Sequence, residues 1–342
     1  MNINTLFKIA TDKKASDLHL IVGRPPVLRI DGELKVIPDM PTITAKMMNT
    51  LVFSIITEKQ KAKFTAEREL DVSYELEGSS RYRINLHFEK DNIGLVARVI
   101  SSTIPSMEEL ELPPVATEMI SKPAGLVLVT GPTGCGKSTT LAAMIQRINE
   151  TRFAHVVTLE DPIEFIYQTN KSIIKQRQLG TDMNSFANAL KHVLRQDPNV
   201  IMVGEMRDLE TIAATITLAE TGHLVLATLH THNAAQTIDR IIDVFPPHQQ
   251  SQVRLQLSVS LSGIISQQLL PRKGGGRVAA REILVNNAAI ANLIRENKIP
   301  QIKTIIQTSA DQGMMTMDQH LKELLKKGLI DEPTAMAYQI DN

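Results

Sequence analysis

The chain has 342 residues, enough for two domains at roughly 100–200 residues each. It is 43% hydrophobic and 22% charged with a formal net charge of zero, which excludes a disordered or fibrous polymer and removes the basic excess that bulk binding to nucleic acid requires. Its single cysteine, Cys135, excludes an intramolecular disulfide and a cysteine-based zinc site, and points to a reducing cytoplasm.

The first residues, from Met1 to Lys8, lack the apolar core of a signal peptide, and no run reaches the ~18 apolar residues of a membrane span. A membrane connection is therefore expected to run through a partner rather than by direct insertion. Residues 1–100 read as a small α+β domain. Leu18, Leu20 and Val22 alternate with His19 and Ile21, and Asp31-Gly32 between two short apolar runs marks a hairpin. One helix is expected over about 44–64. Two strands flank Gly78-Ser79-Ser80, and another covers about 93–100. In the second of these, Tyr82, Ile84, Leu86 and Phe88 share one face, while Arg81, Arg83, Asn85 and His87 share the other. On composition alone Arg81 and Arg83 form a solvated strand face. Residues 101–114, rich in Ser and Pro and without periodicity, read as a linker.

From about residue 115, apolar runs at 126–130, 156–159, 200–203 and 224–228 alternate with helical patterns, which predicts a parallel sheet with crossover helices. The first run leads into Gly131-Pro132-Thr133-Gly134-Cys135-Gly136-Lys137-Ser138, followed by Thr139 and Thr140. This is the P-loop spacing G-x-x-x-x-G-K-[ST]. Phosphate oxygens need many donors in a small concave space, and Gly134 and Gly136 free the backbone N–H groups to turn inward. Lys137 supplies a mobile positive charge for the outer phosphates. The Ser138 hydroxyl suits one position on Mg²⁺, a hard cation that takes oxygen ligands. Leu141, Met144, Ile145 and Ile148 recur at helical spacing, so a helix from Ser138 to about 148 aims its positive end at the phosphates.

A P-loop protein that hydrolyses its nucleotide needs a second acidic element on a neighbouring strand. The run at 200–203 followed by Gly204-Glu205 supplies it, with Gly204 where Asp is usual, so Glu205 is expected to reach the metal through a bound water. The stretch 158–164 places Glu160, Asp161 and Glu164 past a strand end, where open α/β sheets bind ligands. Glu160 is the candidate general base; solvated turn charge is the competing reading for Asp161 and Glu164. His223 opens the next strand, and His230 and His232 close it, placed to sense the outer phosphate or to relay a subunit change. His230 and His232 lack a third ligand for a metal. Gly274-Gly275-Gly276 marks a loop between two apolar segments, after which the chain reads as largely helical. Near the end Thr316 and Gln319 form a capping box before Leu321, Leu324 and Leu325, and Gly328 stops that helix.

Together these motifs resemble the secretion ATPase superfamily, and most closely its PilT-type ATPases of the type IV pilus, over nearly the whole chain. The resemblance is carried by Ala15-Ser16-Asp17-Leu18-His19-Leu20, the P-loop, Glu160-Asp161-Pro162-Ile163-Glu164-Phe165 as the Asp box, Gly204-Glu205-Met206-Arg207-Asp208-Leu209-Glu210-Thr211 as Walker B, and Ala219-Glu220-Thr221-Gly222-His223 through His230-Thr231 as the His box. It implies an α/β fold in which a RecA-like ATPase domain over 115–342 follows a smaller N-terminal PAS-like α+β domain. It implies ATP and Mg²⁺ as cofactors and a homo-hexamer at the cytoplasmic face of the inner membrane, joined to a pilus platform protein. The implied activity is ATP hydrolysis that drives pilus retraction and twitching motility. In such sites arginines of the N-terminal domain reach the phosphates when the domains close; Arg83 and Arg98 match those positions and Arg240 resembles a third. Guanidinium forks suit phosphate oxygens.

One departure stands in 289–296, where the family carries Ala-Ile-Arg-Asn-Leu-Ile-Arg-Glu and this chain has Ala291 in place of the first arginine. Cys135 and the run 201–203 resemble the related PilU type, while Met206-Arg207-Asp208 resembles PilT, so a PilU-type accessory retraction ATPase working beside a paralogue is the alternative. Pilus extension ATPases resemble longer chains with a four-cysteine motif. A RecA-like nucleic-acid translocase would need basic pore loops, which the neutral charge opposes. A scaffold that binds nucleotide without hydrolysis is opposed by the intact Lys137, Ser138, Glu160 and Glu205.

Overall fold

Apolar alternation in the first hundred residues produces strands with one buried and one exposed face, and these pair into an antiparallel sheet. The structure, a computed structural model, describes residues 2–30, 32–76, 81–100 and 103–339; the expected turn residues Asp31 and Gly78-Ser79-Ser80 and the linker residues Ser101 and Ser102 lie outside these. It divides into two compact units, the first comprising Met1–Thr103 with Glu164–Ile166, the second Ile104–Ile163 with Tyr167–Asn342.

The first unit runs α1 (Ile3–Asp12), β1 (Asp17–Leu20), β2 (Val27–Ile30), β3 (Glu33–Val36), α2 (Ala45–Phe53), α3 (Glu58–Glu67), β4 (Glu69–Glu75), β5 (Arg81–Glu89) and β6 (Asn92–Ile100). Its described strands form a sheet of order β3-β2-β1-β6-β5-β4. The expected inward face of β5 is buried at Tyr82, Ile84 and Leu86, against Phe7, Met48 and Phe64 from the helices. Phe7 and Tyr82 stack with ring centroids 4.3 Å apart, and the Tyr82 hydroxyl donates to the Phe7 carbonyl at 2.9 Å. The single helix expected over 44–64 is two helices. Thr57 and Gln60 form a capping box, with Thr57 N donating to Gln60 Oε1 at 2.8 Å, so a new helix starts there instead of the old one continuing.

The second unit contains α4 (Pro114–Ser121), β7 (Gly125–Thr130), α5 (Lys137–Thr151), β8 (His155–Glu160), β9 (Ile173–Gln178), α6 (Phe186–Val193), β10 (Val200–Val203), α7 (Leu209–Glu220), β11 (Leu224–Leu229), α8 (Ala234–Asp243), α9 (Pro247–Ser260), β12 (Leu261–Pro271), β13 (Arg277–Val285), α10 (Ala288–Arg295), α11 (Ile302–Thr308), α12 (Met317–Lys326) and α13 (Glu332–Ala337). The sheet order is β13-β12-β7-β11-β10-β8-β9, parallel throughout except at β13. Strands β7, β10 and β11 are buried at every position, which is why they appear in the sequence as unbroken apolar runs.

The chain after Gly274-Gly275-Gly276 is not wholly helical, because β13 returns antiparallel along β12 from Arg277 to Val285. The three glycines all hold positive φ, at 89°, 105° and 77°, and make a hairpin turn closed by Arg272 N to Gly276 O at 3.1 Å. The capping box at Thr316 and Gln319 starts α12 as the sequence predicts. The segment from Ile104 to α4 is docked on the second unit. Met107 is buried, and the buried Arg281 guanidinium donates to the carbonyls of Leu110 at 2.7 Å and Glu111 at 3.1 Å. Among the described residues no helix is long and apolar enough to cross a membrane.

Candidate nucleotide-binding site

Parallel pairing brings the carboxyl ends of β7, β11, β10 and β8 to one edge of the sheet, in that lateral order. The P-loop follows β7, His230 follows β11, Glu205 lies two residues past β10, and Glu160 ends β8. At about 4.8 Å between strands the whole row spans roughly 15 Å. Residues separated by scores of positions in sequence therefore face one ligand-sized region.

In the loop, Gly134 and Gly136 adopt φ of 79° and 89°, in the left-handed region that a side chain disfavours. Gly131, at φ 141°, has no room for a Cβ, which would lie 2.2 Å from the Gln267 carbonyl oxygen. Gly136 is the N-cap of α5 and offers no side chain to the helix's first N–H groups, which suits an anion. The Lys137 ammonium donates to the carbonyls of Gly131 at 2.8 Å and Pro132 at 3.0 Å and is held within the curve of the loop. Thr133, Gly134 and Ser138 are exposed, and Pro132 and Thr139 are half-buried. Cys135 is different: its thiol is buried beneath the loop beside Gly131, and burial pushes its pKa up.

The structure explains why Gly204 stands where an Asp is usual. A Cβ there would meet the Leu159 carbonyl at 3.1 Å and the Glu160 Cα at 3.4 Å, so this position faces the backbone of β8. The carboxylate comes from the next residue. Glu205 Oε2 pairs with Arg207 Nη2 at 2.7 Å and Glu205 Oε1 with His230 Nε2 at 3.1 Å, while Arg207 Nη1 lies 3.8 Å from Asp161 Oδ2. In the sequence Arg207 stands out only as part of Met206-Arg207-Asp208, without a role in the site. Its position two residues after Glu205, on a strand exit with no periodicity to read, gives only the motif match as a signal. Thr228 further fixes this exit by donating its hydroxyl hydrogen bond to the Gly204 carbonyl.

Glu160 is buried, and its Oε1 accepts from the Thr158 hydroxyl at 2.6 Å and from Gln176 Nε2 at 3.1 Å. Gln176 sits on β9, an edge strand whose mixed polar sequence hid it from the apolar pattern. Burial, and then the neighbouring Glu160, push the Tyr167 hydroxyl pKa well up, so that phenol stays protonated beside the carboxylate. The histidines separate. His223 lies before β11, its Nδ1 donating to the Leu218 carbonyl at 3.0 Å, whereas His230 lies after it, about 20 Å along the strand. His230 alone of that pair joins the carboxylate row.

In the first unit Arg83 and Arg98 are exposed and directly opposite each other across β5 and β6. Like charges so placed repel. Asp17, opposite Arg98 on β1, offsets this: Arg98 Nε donates to its Oδ1 at 3.0 Å, Ser16 Oγ donates to its Oδ2 at 2.8 Å, and Arg29 lies 4.0 Å from the same carboxylate. Arg81 instead turns to Ser73 Oγ at 3.1 Å. Arg240 is exposed in the last turn of α8.

Burial raises the pKa of Glu205, but the hydrogen bond and charge of Arg207, followed by His230, outweigh it and hold the carboxyl below its ordinary value. Arg207→Ala is therefore expected to move the Glu205 titration to higher pH, and His230→Ala to move it less, as followed by carboxyl ¹³C NMR. A titration unmoved by Arg207→Ala would contradict the pairing.

The family described as type II/IV secretion system protein matches residues 97–331. The chain is 47% identical over 335 residues to the type IV pilus retraction ATPase PilT of Pseudomonas aeruginosa, covering 98% of this chain and 97% of the relative. It is 38% identical over 339 residues to the type IV pilus ATPase PilU of the same organism, covering 99% of this chain and 88% of that one. A crystal structure of the pilus retraction motor PilT with bound ADP agrees with a TM-score of 0.94 at 46% identity, covering 100% of this chain and 98% of the other. With the P-loop, the paired carboxylates and the full-length agreement all in one chain, this protein belongs to the type II/IV secretion system protein family, in its PilT-type branch.

Proposed function

We propose that the chain is an ATP-driven motor that retracts type IV pili. The observation that carries this is the meeting of an intact P-loop with Glu205 and Glu160 on one sheet edge, in a chain that aligns with PilT from end to end. The agreement with PilU is lower, which favours the PilT-type reading over an accessory role. Ala291, half-buried on α10, stands where the family's first arginine is found, so this motor works without that guanidinium.

In this reading the backbone of residues 131–139 and the N-terminal end of α5 bind the phosphates of ATP, and Lys137 exchanges its carbonyl partners for the outer phosphate. Ser138 and Glu205 would hold Mg²⁺. Both offer oxygen, the donor that Mg²⁺ takes, and the rest of its shell would be phosphate and water. When bound, that ion neutralises charge on the phosphate oxygens. Glu160, oriented by Thr158 and Gln176, takes the proton from the attacking water. Arg207 orients Glu205, and His230, on its other oxygen, links the carboxylate to the end of β11. Arg83, Arg98 and Arg240 supply charge to the transferring phosphoryl group.

The working assembly is a homo-hexamer at the cytoplasmic face of the inner membrane, docked on a pilus platform protein and able to act beside a paralogous ATPase. A strain lacking this chain should carry many pili that do not retract and should lose surface motility; complementation with the wild type should restore both and Lys137→Ala should restore neither. Normal retraction without the chain would refute the function. For the arginines, Arg83→Ala and Arg98→Ala should each lower steady-state ATP hydrolysis by about tenfold or more, roughly 1.4 kcal/mol of barrier, with little change in unfolding temperature. Arg81→Ala, whose partner is Ser73, should leave turnover near wild type. Equal small effects at all three would return Arg83 and Arg98 to a solvated strand face.

A further inference from the structure

Gln267, on β12, is 1% exposed, and an amide so placed is costly unless its donor and acceptor are both matched. Its partners identify its role. Nε2 donates to the Cys135 carbonyl at 2.8 Å, and Oε1 accepts from the Thr140 hydroxyl at 2.9 Å. One partner is in the P-loop and the other in the first turn of α5, so the side chain spans the point where loop becomes helix. The same strand also meets the loop's entry. The Gln267 carbonyl oxygen excludes any Cβ at Gly131, and the Thr130 and Ser266 hydroxyls share a hydrogen bond at 2.8 Å.

The Cys135 carbonyl and the Gly136 N–H belong to one planar trans peptide, so they point in opposite directions. A carbonyl tied to Gln267 inside the sheet therefore aims the Gly136 N–H away from the sheet, toward the concave side of the loop. Were that peptide to rotate, an oxygen would face the phosphates in place of a donor. Gly136 has no Cβ to resist the rotation, and its own φ of 89° is in the region where glycine moves freely. Restraint must come from outside the loop.

We propose that Gln267 is a positioning residue for phosphate binding, which locks the Cys135–Gly136 peptide in the orientation that presents its N–H to the nucleotide. The proposal rests on the reading of the loop as a nucleotide site. It places control of that loop on β12, a strand outside every motif that marks the family in the sequence.

The test uses the full chain and three variants. Gln267→Leu removes both hydrogen bonds at similar volume. Gln267→Glu keeps an acceptor for Thr140 but sets oxygen against the Cys135 carbonyl. Thr140→Val removes only the helix anchor. Two quantities are read well below the unfolding temperature: affinity for a fluorescent ADP analogue, and the rate at which a thiol reagent modifies Cys135, the single cysteine of the chain and buried under the loop. Folding is checked by circular dichroism. Both Gln267 variants should bind the analogue about tenfold or more weakly and label Cys135 about fivefold or more faster, while Thr140→Val changes each by less than about threefold. A folded Gln267 variant that binds within about twofold of wild type and labels at the wild-type rate overturns the proposal while leaving the nucleotide reading intact. Loss of fold in both Gln267 variants would make the residue a packing element and overturn it as well. A wild-type chain that binds no analogue overturns the nucleotide reading, and the proposal with it.

Discussion

Parallel registration of β7, β11, β10 and β8 is the constraint on which the rest of the site depends. A parallel strand ends on the same edge as its neighbour, because each crossover carries the chain back to the opposite edge and the next strand then returns it to the side where the P-loop lies. The hydrophobic runs that build these strands thus do two jobs. They fill the core, and by their direction they deliver Lys137, His230, Glu205 and Glu160 to one line. A register slip of one residue in β10 would exchange Gly204 with a residue bearing a side chain, against the backbone of β8.

Each unit holds one charge at the candidate site that is pinned by a counter-charge rather than left to solvent. Glu205 is held between Arg207 and His230, and Arg98 is held by Asp17, itself buried and fixed by Ser16. Such pairing adds little stability at a surface, since exposed ion pairs contribute about 0–1 kcal/mol. Its value lies in orientation: a carboxylate or guanidinium with a fixed direction loses less entropy when a ligand engages it. The same logic places Glu160 beneath Thr158 and Gln176. The partners lie on the same strand, on a neighbouring strand or beside a strand end, so the sheet sets the geometry.

Much of this was legible in the sequence because it follows from local pattern. The P-loop glycines, the buried strands, the helix after the loop, and the capping box at Thr316 each depend on residues within a short window. The break between α2 and α3 was also written there, in Thr57 and Gln60, but a run of helix-forming residues on both sides masked it. What could not be read was pairing across long separations. Gln267 meets Cys135 and Thr140 across more than a hundred residues, and Gln176 meets Glu160 from an edge strand with no apolar run. β13 was hidden behind three glycines that suggested only a loop. The arginines Arg83 and Arg98 were visible as an exposed face, and only the strand register made them direct neighbours.

In the proposed mechanism the loop binds the nucleotide and Glu160, three strands away, performs the proton transfer. The most direct measurement is single-turnover ATP hydrolysis by Glu160→Gln, made alongside equilibrium ATP binding in the presence of Mg²⁺. The amide retains an acceptor for Thr158 and Gln176 but cannot take a proton, so binding is expected within about twofold of wild type and turnover is expected to fall by about a hundredfold or more. Hydrolysis at the wild-type rate by a folded Glu160→Gln chain, or loss of ATP binding with the fold intact, would contradict this mechanism.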